Sequence, residues 1–168
     1  MSDLLLRDEV DADAAAVSRV VAAAFGRRHE AGIVERLRHT PEMVASMVAV
    51  RDDELLAHVL FSRVTTTPDL GVSACALGPV AVSPAQQSRG IGTALIQAAL
   101  PRVANEFDLV FVLGNPRYYA RFGFELAAHR GYHYASREFD RAFQVFGGRH
   151  SVDPVAESWV HYHPAFEE

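Results

Sequence analysis

Residues 87–92, Gln-Ser-Arg-Gly-Ile-Gly, place two glycines and a cation at the start of a helical pattern. Glycines at Gly90 and Gly92 let the backbone come close to a ligand. The first N–H groups of a helix have no carbonyl of their own to bond and lie at the positive end of its dipole, so such a turn suits an anion, phosphate above all. A P-loop requires Lys and then Ser or Thr directly after its last glycine, whereas Thr93 and Ala94 follow Gly92. A dinucleotide fingerprint sets its glycines directly behind the strand, with a third where Leu95 stands, and here SPAQQSR intervenes. The histidines offer a second chemistry. His161 and His163 alternate onto one face of a strand-like stretch, and His129 and His133 stand at helical spacing. Neither pair has a cysteine or carboxylate spaced with it to complete a ligand set, so no metal is expected.

These groups must be positioned by a modest scaffold. At 168 residues, 49% hydrophobic and 22% charged, the composition is that of one compact domain spanning 1–168. A net charge of −5 argues against a nucleic-acid partner. The lone Cys75 excludes an internal disulfide and suits a reducing cytoplasm. No apolar run approaches a membrane span, and the acidic start lacks the features of a signal segment, so no membrane association is expected.

LLLRDE reads as a first strand, followed by a helix capped by Asp11 with Val17, Val20, Val21 and Ala24 on one buried face. A second helix, about Glu30–Arg38, carries Ile33, Val34 and Leu37 at core spacing. MVAV and LLAHVLFSRVTT flank an acidic RDDE turn, as two antiparallel strands would. VSACALGPVAV is a third strand. The helix from Gly90 to about Phe107 buries Ile91, Leu95, Val103 and Phe107, and is expected to kink at Pro101. LVFVLG is a buried strand, RYYARFGF a short helix leading into a strand, and the remainder short strands and loops. The class is α/β or α+β around a mixed sheet.

QSRGIG matches the Gln/Arg-x-x-Gly-x-Gly/Ala loop with which the GNAT superfamily of N-acetyltransferases holds the pyrophosphate of acetyl-coenzyme A. With LGPVAVSP before it, LVFVLGNPRYYARFGF after it and WVHYHPAF near the end, nearly the whole chain resembles that superfamily, and more closely its YhbS-like branch. The resemblance implies the GNAT acyl-coenzyme A N-acyltransferase fold: a mixed, mostly antiparallel sheet splayed between two central strands and flanked by helices. It implies a pantetheine arm between GPVAV and VFVLG, bonded to the backbone of Val80, Ala81 and Val82. Gln87, Ser88, Arg89, Gly90, Ile91, Gly92 and Thr93 would wrap the pyrophosphate. In YYARFGF, Tyr119 stands where the superfamily's Tyr-x-x-x-Gly-Phe pattern has its general acid for the departing thiolate, and Phe122 is a further cofactor contact. The commoner pattern has an asparagine about two helical turns ahead of that tyrosine. Here Val112 falls there and Asn115 lies only four residues ahead, so Asn115 is the residue left for that contact.

Several members of the superfamily carry a glutamate base at the position of Ala76, and residues 71–82 hold no carboxylate. His58, Glu30 and Glu35 are the remaining candidates, directly or through water. The lack of that carboxylate favours an acceptor of low pKa. A lysine amine is neutral in about one molecule in 2,500 at pH 7, an α-amino group in roughly one in seven. The expected partner is thus a small-molecule or peptide primary amine, which attacks the thioester directly in a ternary complex without metal. A homodimer is compatible with such folds. The alternative is a non-catalytic acyl-coenzyme A sensor or regulatory module.

Overall fold

The computed structural model describes residues 2–167. In chain order the elements are β1 (Leu5–Asp8), α1 (Ala14–Phe25), α2 (His29–Leu37), β2 (Met43–Arg51), β3 (Glu54–Thr67), β4 (Ala74–Val82), α3 (Ile91–Ala104), β5 (Leu109–Leu113), α4 (Pro116–Tyr119), β6 (Glu125–Leu126), β7 (Tyr132–Tyr134), β8 (Phe143–Gly147) and β9 (Ser158–His161). The strands pair in mixed, mostly antiparallel fashion, as α+β architecture requires. The chain divides into two compact units: one holds residues up to Phe61, Gly78–Leu100 and the stretch from Pro164, the other Ser62–Leu77 and Pro101–His163.

In the first unit β1 runs antiparallel to β2, Leu5 opposite Val50 and Asp8 opposite Met47. Asp52 and Asp53, at φ +51° and +61°, turn β2 into β3, the two-residue hairpin that the acidic RDDE stretch suggests. Helices α1 and α2 contribute Val17, Val21, Ile33, Val34 and Leu37 to a core shared with Val48, Leu60 and Ala81. Val20 and Ala24 pack at its margin and stay partly exposed, a narrower buried stripe than the spacing predicts. Asp11 does not cap α1. It opens a 3₁₀ turn, Asp11–Asp13, and Asp13 takes the N-cap position of α1 without bonding that helix, its Oδ2 accepting instead from the Val10 N–H at 2.8 Å and from Arg7 at 2.7 Å. The start of α1 lies beyond Asp11 because the chain tightens into a 3₁₀ turn before it becomes α-helical.

In the second unit β4 pairs in parallel with β5, Ala74 opposite Leu109 through Leu77 opposite Val112. Strand β8 runs antiparallel to β5 and β6 to β8. The far end of β3, Thr65–Thr67, pairs with β9, which carries β7 on its other side. Phe111 stacks on Phe143 at 5.2 Å and meets Tyr132 edge-on at 5.4 Å, filling a core that also takes Ala76 and Val145. The β4–β5 register ends at Leu77, where Gly78 adopts φ +144°, a conformation that favours glycine. Strand β4 nevertheless runs on to Val82.

Candidate active site

Strand β4 leads directly to the glycine loop. The Ser83 N–H donates to Leu56 O at 2.8 Å, so Ser83 turns its backbone polar groups toward β3. Successive strand residues point these groups to opposite edges, so Ala81 also faces β3, while Val80 and Val82 direct theirs to the edge β3 does not use. One of them is occupied: the Gln87 side-chain amide donates to Val82 O at 3.1 Å, tying the loop back to its strand.

Beyond Gln87 the chain is set by two left-handed residues, Ser88 at φ +61° and Gly90 at φ +81°. Open space surrounds the position a Gly90 Cβ would take. Gly90 O accepts the first bond of α3, from Ala94 N at 3.0 Å, so Ile91, Gly92 and Thr93 open the helix ahead of its hydrogen-bond ladder. Arg89 and Gly90 are exposed, whereas Ile91 and Gly92 are buried. Spacing along the chain makes the two glycines look equivalent. They differ: Gly90 supplies the turn, and Gly92 lies in the packed base of the helix.

Tyr119 lies in the second unit at the end of α4. Its ring meets Tyr118 edge-on at 5.0 Å and Phe124 at 5.9 Å, with Phe122 at 6.2 Å. Burial, reinforced by neighbouring Tyr118, pushes its phenol up to about 12, so the group stays protonated across the ordinary pH range. Asn115 serves its own helix: it is the N-cap of α4, its Oδ1 accepting from Arg117 N at 3.0 Å. Cys75 is fully buried, and burial pushes its thiol far above the ordinary value, which removes it as a nucleophile.

Each candidate base has another partner. Glu30 is gripped by both Arg27 nitrogens, Nε and Nη2. Burial raises its pKa, but Arg27 outweighs this and holds it below the usual value. Glu35 accepts from Ser18 at 2.7 Å and from Arg28 at 3.1 Å, and these contacts lower its pKa, making it a weaker base. His58 is fully buried, its Nε2 2.7 Å from Ser46 Oγ and 3.5 Å from Glu9 Oε2, with Nδ1 unpartnered.

Sequence reasoning missed the rest of that network. Ser46 also donates to Glu9, and Arg38 Nη2 lies 2.6 Å from Glu9 Oε1. Burial alone would raise the Glu9 pKa, yet hydrogen bonds from His58, Ser46 and Arg38 overcome it and bring the carboxyl down to about 2. A depressed carboxylate contributes stability above its unfolded pKa, near 4.5, and loses it as pH falls through about 2. Glu9→Gln is therefore expected to cost roughly 3 kcal/mol at pH 7, a gap that closes between about pH 4.5 and pH 2. Urea unfolding of both proteins across that range checks it; a gap independent of pH would contradict it.

The histidine pairs separate. His129 sits on a 3₁₀ turn and His133 on β7, so helical spacing does not apply; His133 Nδ1 pairs with Asp140 at 2.8 Å. His161 ends β9, its Nε2 2.9 Å from Thr67 Oγ1, and His163 lies beyond the strand. Among the described residues no three His, Cys, Asp or Glu side chains gather as a metal-binding group would. No helix among them is long and apolar enough to cross a membrane.

Comparison with known proteins gives this geometry a context. A family model described as acetyltransferase (GNAT) domain matches residues 6–127. The chain is 30% identical over 166 residues to the uncharacterized N-acetyltransferase YhbS of Escherichia coli K12, covering 97% of this chain and 98% of that protein. The crystal structure of E. coli YhbS in complex with CoA superimposes with a TM-score of 0.87 at 28% identity, covering 100% of this chain and 94% of the other. A GNAT family acetyltransferase from Brucella melitensis, in complex with acetyl-CoA, gives a TM-score of 0.80 at 31% identity and 99% coverage of both chains.

Proposed function

Since the chain belongs to the GNAT acetyltransferase family, we propose that it transfers the acetyl group of acetyl-coenzyme A to a primary amine of a small molecule or peptide. The observation that carries this reading is the continuous path from the β4 edge at Val80 and Val82 that β3 does not use, where only Val82 O is tied to Gln87, to the exposed turn opening α3. Backbone at Val80 and the N–H of Val82 would hold the pantetheine amides, and Arg89 with the N–H groups of Gly90–Gly92 the pyrophosphate. The CoA and acetyl-CoA complexes of the two similar proteins support acetyl-coenzyme A as the ligand.

The amine attacks the thioester carbonyl, whose developing oxyanion takes a hydrogen bond from the Val80 N–H. The C–N bond forms as the C–S bond breaks, and Tyr119 donates its phenolic hydrogen bond to the departing sulfur. Attack is direct because the buried Cys75 cannot carry the acetyl group. With Glu30 and Glu35 engaged by cations and His58 sealed among Ser46 and Glu9, the ammonium proton leaves to water. An acceptor with a low-pKa amine suits that arrangement.

The pH dependence of kcat/KM for two accepted amines of different pKa tests this reading. The midpoint of the rise moves with the amine, and neither His58→Ala nor Glu35→Gln shifts it. A midpoint common to both amines and moved by one of those substitutions would return the base role to that side chain.

A further inference from the structure

We infer that Gly114 is a positioning residue for Tyr119, an inference that rests on the acetyl-transfer reading above. A Cβ at Gly114 would stand 2.5 Å from Tyr119 Cε2, closer than carbon atoms approach, and 3.2 Å from Cδ2, tighter than most such contacts. The phenol ring therefore lies directly against the Gly114 backbone. Gly114 does not adopt a left-handed φ, so the requirement for glycine here is steric contact rather than backbone freedom.

Neither side of this contact yields easily. The Gly114 N–H donates to Ala142 O at 3.0 Å, and Gly114 O accepts from Gln144 Nε2 at 3.1 Å. Gln144 is itself buried and bonds Ala142 O at 3.1 Å, fixing the backbone beyond β5 to β8. On the other side Tyr118 and Phe124 pack against the ring at 5.0 and 5.9 Å. An added methyl must push the ring by about 1 Å to restore ordinary contact. A shift of that size at a reacting group costs up to about 100-fold in rate.

Gly114 acts on chemistry only through the Tyr119 hydroxyl, and this separates positioning from general stability. Gly114→Ala should lower kcat about 10- to 100-fold with KM for acetyl-coenzyme A nearly unchanged. In the Tyr119→Phe background the ring and the clash remain but the hydroxyl is gone. There the same substitution should lower the melting temperature as before yet leave kcat where Tyr119→Phe alone puts it. Gln144→Met gives a second route, releasing Gly114 O without adding an atom near the ring. It should reduce kcat with Tyr119 present and not with Tyr119→Phe. Equal losses of kcat in both backgrounds, or no loss in either, would overturn the inference. If Tyr119→Phe itself leaves kcat unchanged, the acid role fails and the inference falls with it. If Tyr119→Phe slows turnover and neither Gly114→Ala nor Gln144→Met does, positioning alone fails.

Discussion

Gly90→Asp is expected to weaken acetyl-coenzyme A binding about 100-fold while leaving the protein folded. The position tolerates the change: a side chain there meets open space, and Asp accepts a left-handed φ better than most residues. The new carboxylate stands beside the N–H groups that open α3, where the proposed pyrophosphate also needs to lie. Two like charges about 4 Å apart repel by roughly 4 kcal/mol at the effective dielectric near a protein surface, and screening brings this toward the roughly 2.7 kcal/mol of a 100-fold loss. Gly92 is the poorer place for this test because it is buried, so a substitution there would disturb packing as well. Calorimetric titration of the folded variant with acetyl-coenzyme A measures the change. Undiminished affinity would remove the pyrophosphate from this loop.

Tyr119→Phe should lower kcat about 100-fold, or roughly 2.7 kcal/mol of transition-state stabilisation, and preserve most cofactor affinity. General acids contribute about 10²- to 10⁴-fold, and two features place this one at the low end. A thiol with a pKa near 8.5 leaves tolerably well without a proton. Burial also holds the phenol at about 12, so full transfer to that thiolate is uphill by about 3.5 pKa units, close to 5 kcal/mol. Tyr119 therefore acts chiefly by donating a strong hydrogen bond as charge reaches the sulfur. The raised pKa has a second consequence: phenol ionisation produces no alkaline fall in rate below about pH 11, whereas an unperturbed tyrosine would bring one near pH 10. Stopped-assay kinetics over pH 6–11 with native protein and Tyr119→Phe tests both, and a native turnover rate in the variant would reduce the tyrosine to packing.

Elements with a strong period or an unambiguous turn were legible in the sequence. Ile33, Val34 and Leu37 are buried as their spacing predicts, and Asp52–Asp53 turn the expected hairpin. The turn into α3 was legible because its glycines stand between a β-branched strand and a helical pattern. Features that depend on tertiary contact were not. Nothing in LVFVLGNP indicates that a tyrosine ring five residues on will cover Gly114, since that contact is made only when α4 folds back. The Glu9–Ser46–His58 network joins residues separated by up to 49 positions, brought together by β1, β2 and β3 lying side by side. A lone histidine on a strand carries no sign of such partners. Asp11 resembles a helix cap in sequence because local composition does not distinguish it from Asp13, which has Arg7 to hold it.

An enzyme differs from a sensor in whether an amine receives the acetyl group once acetyl-coenzyme A is bound. Release of the coenzyme A thiol from acetyl-coenzyme A, followed across amino acids, polyamines, aminoglycosides and peptides, decides between them when the amine products are quantified by mass spectrometry. For the acetyltransferase proposed here, release depends on at least one primary amine, matches its acetylation one for one, and falls about 100-fold with Tyr119→Phe. Tight binding of acetyl-coenzyme A with no amine-dependent release anywhere in that panel would contradict acetyl transfer and favour a sensor.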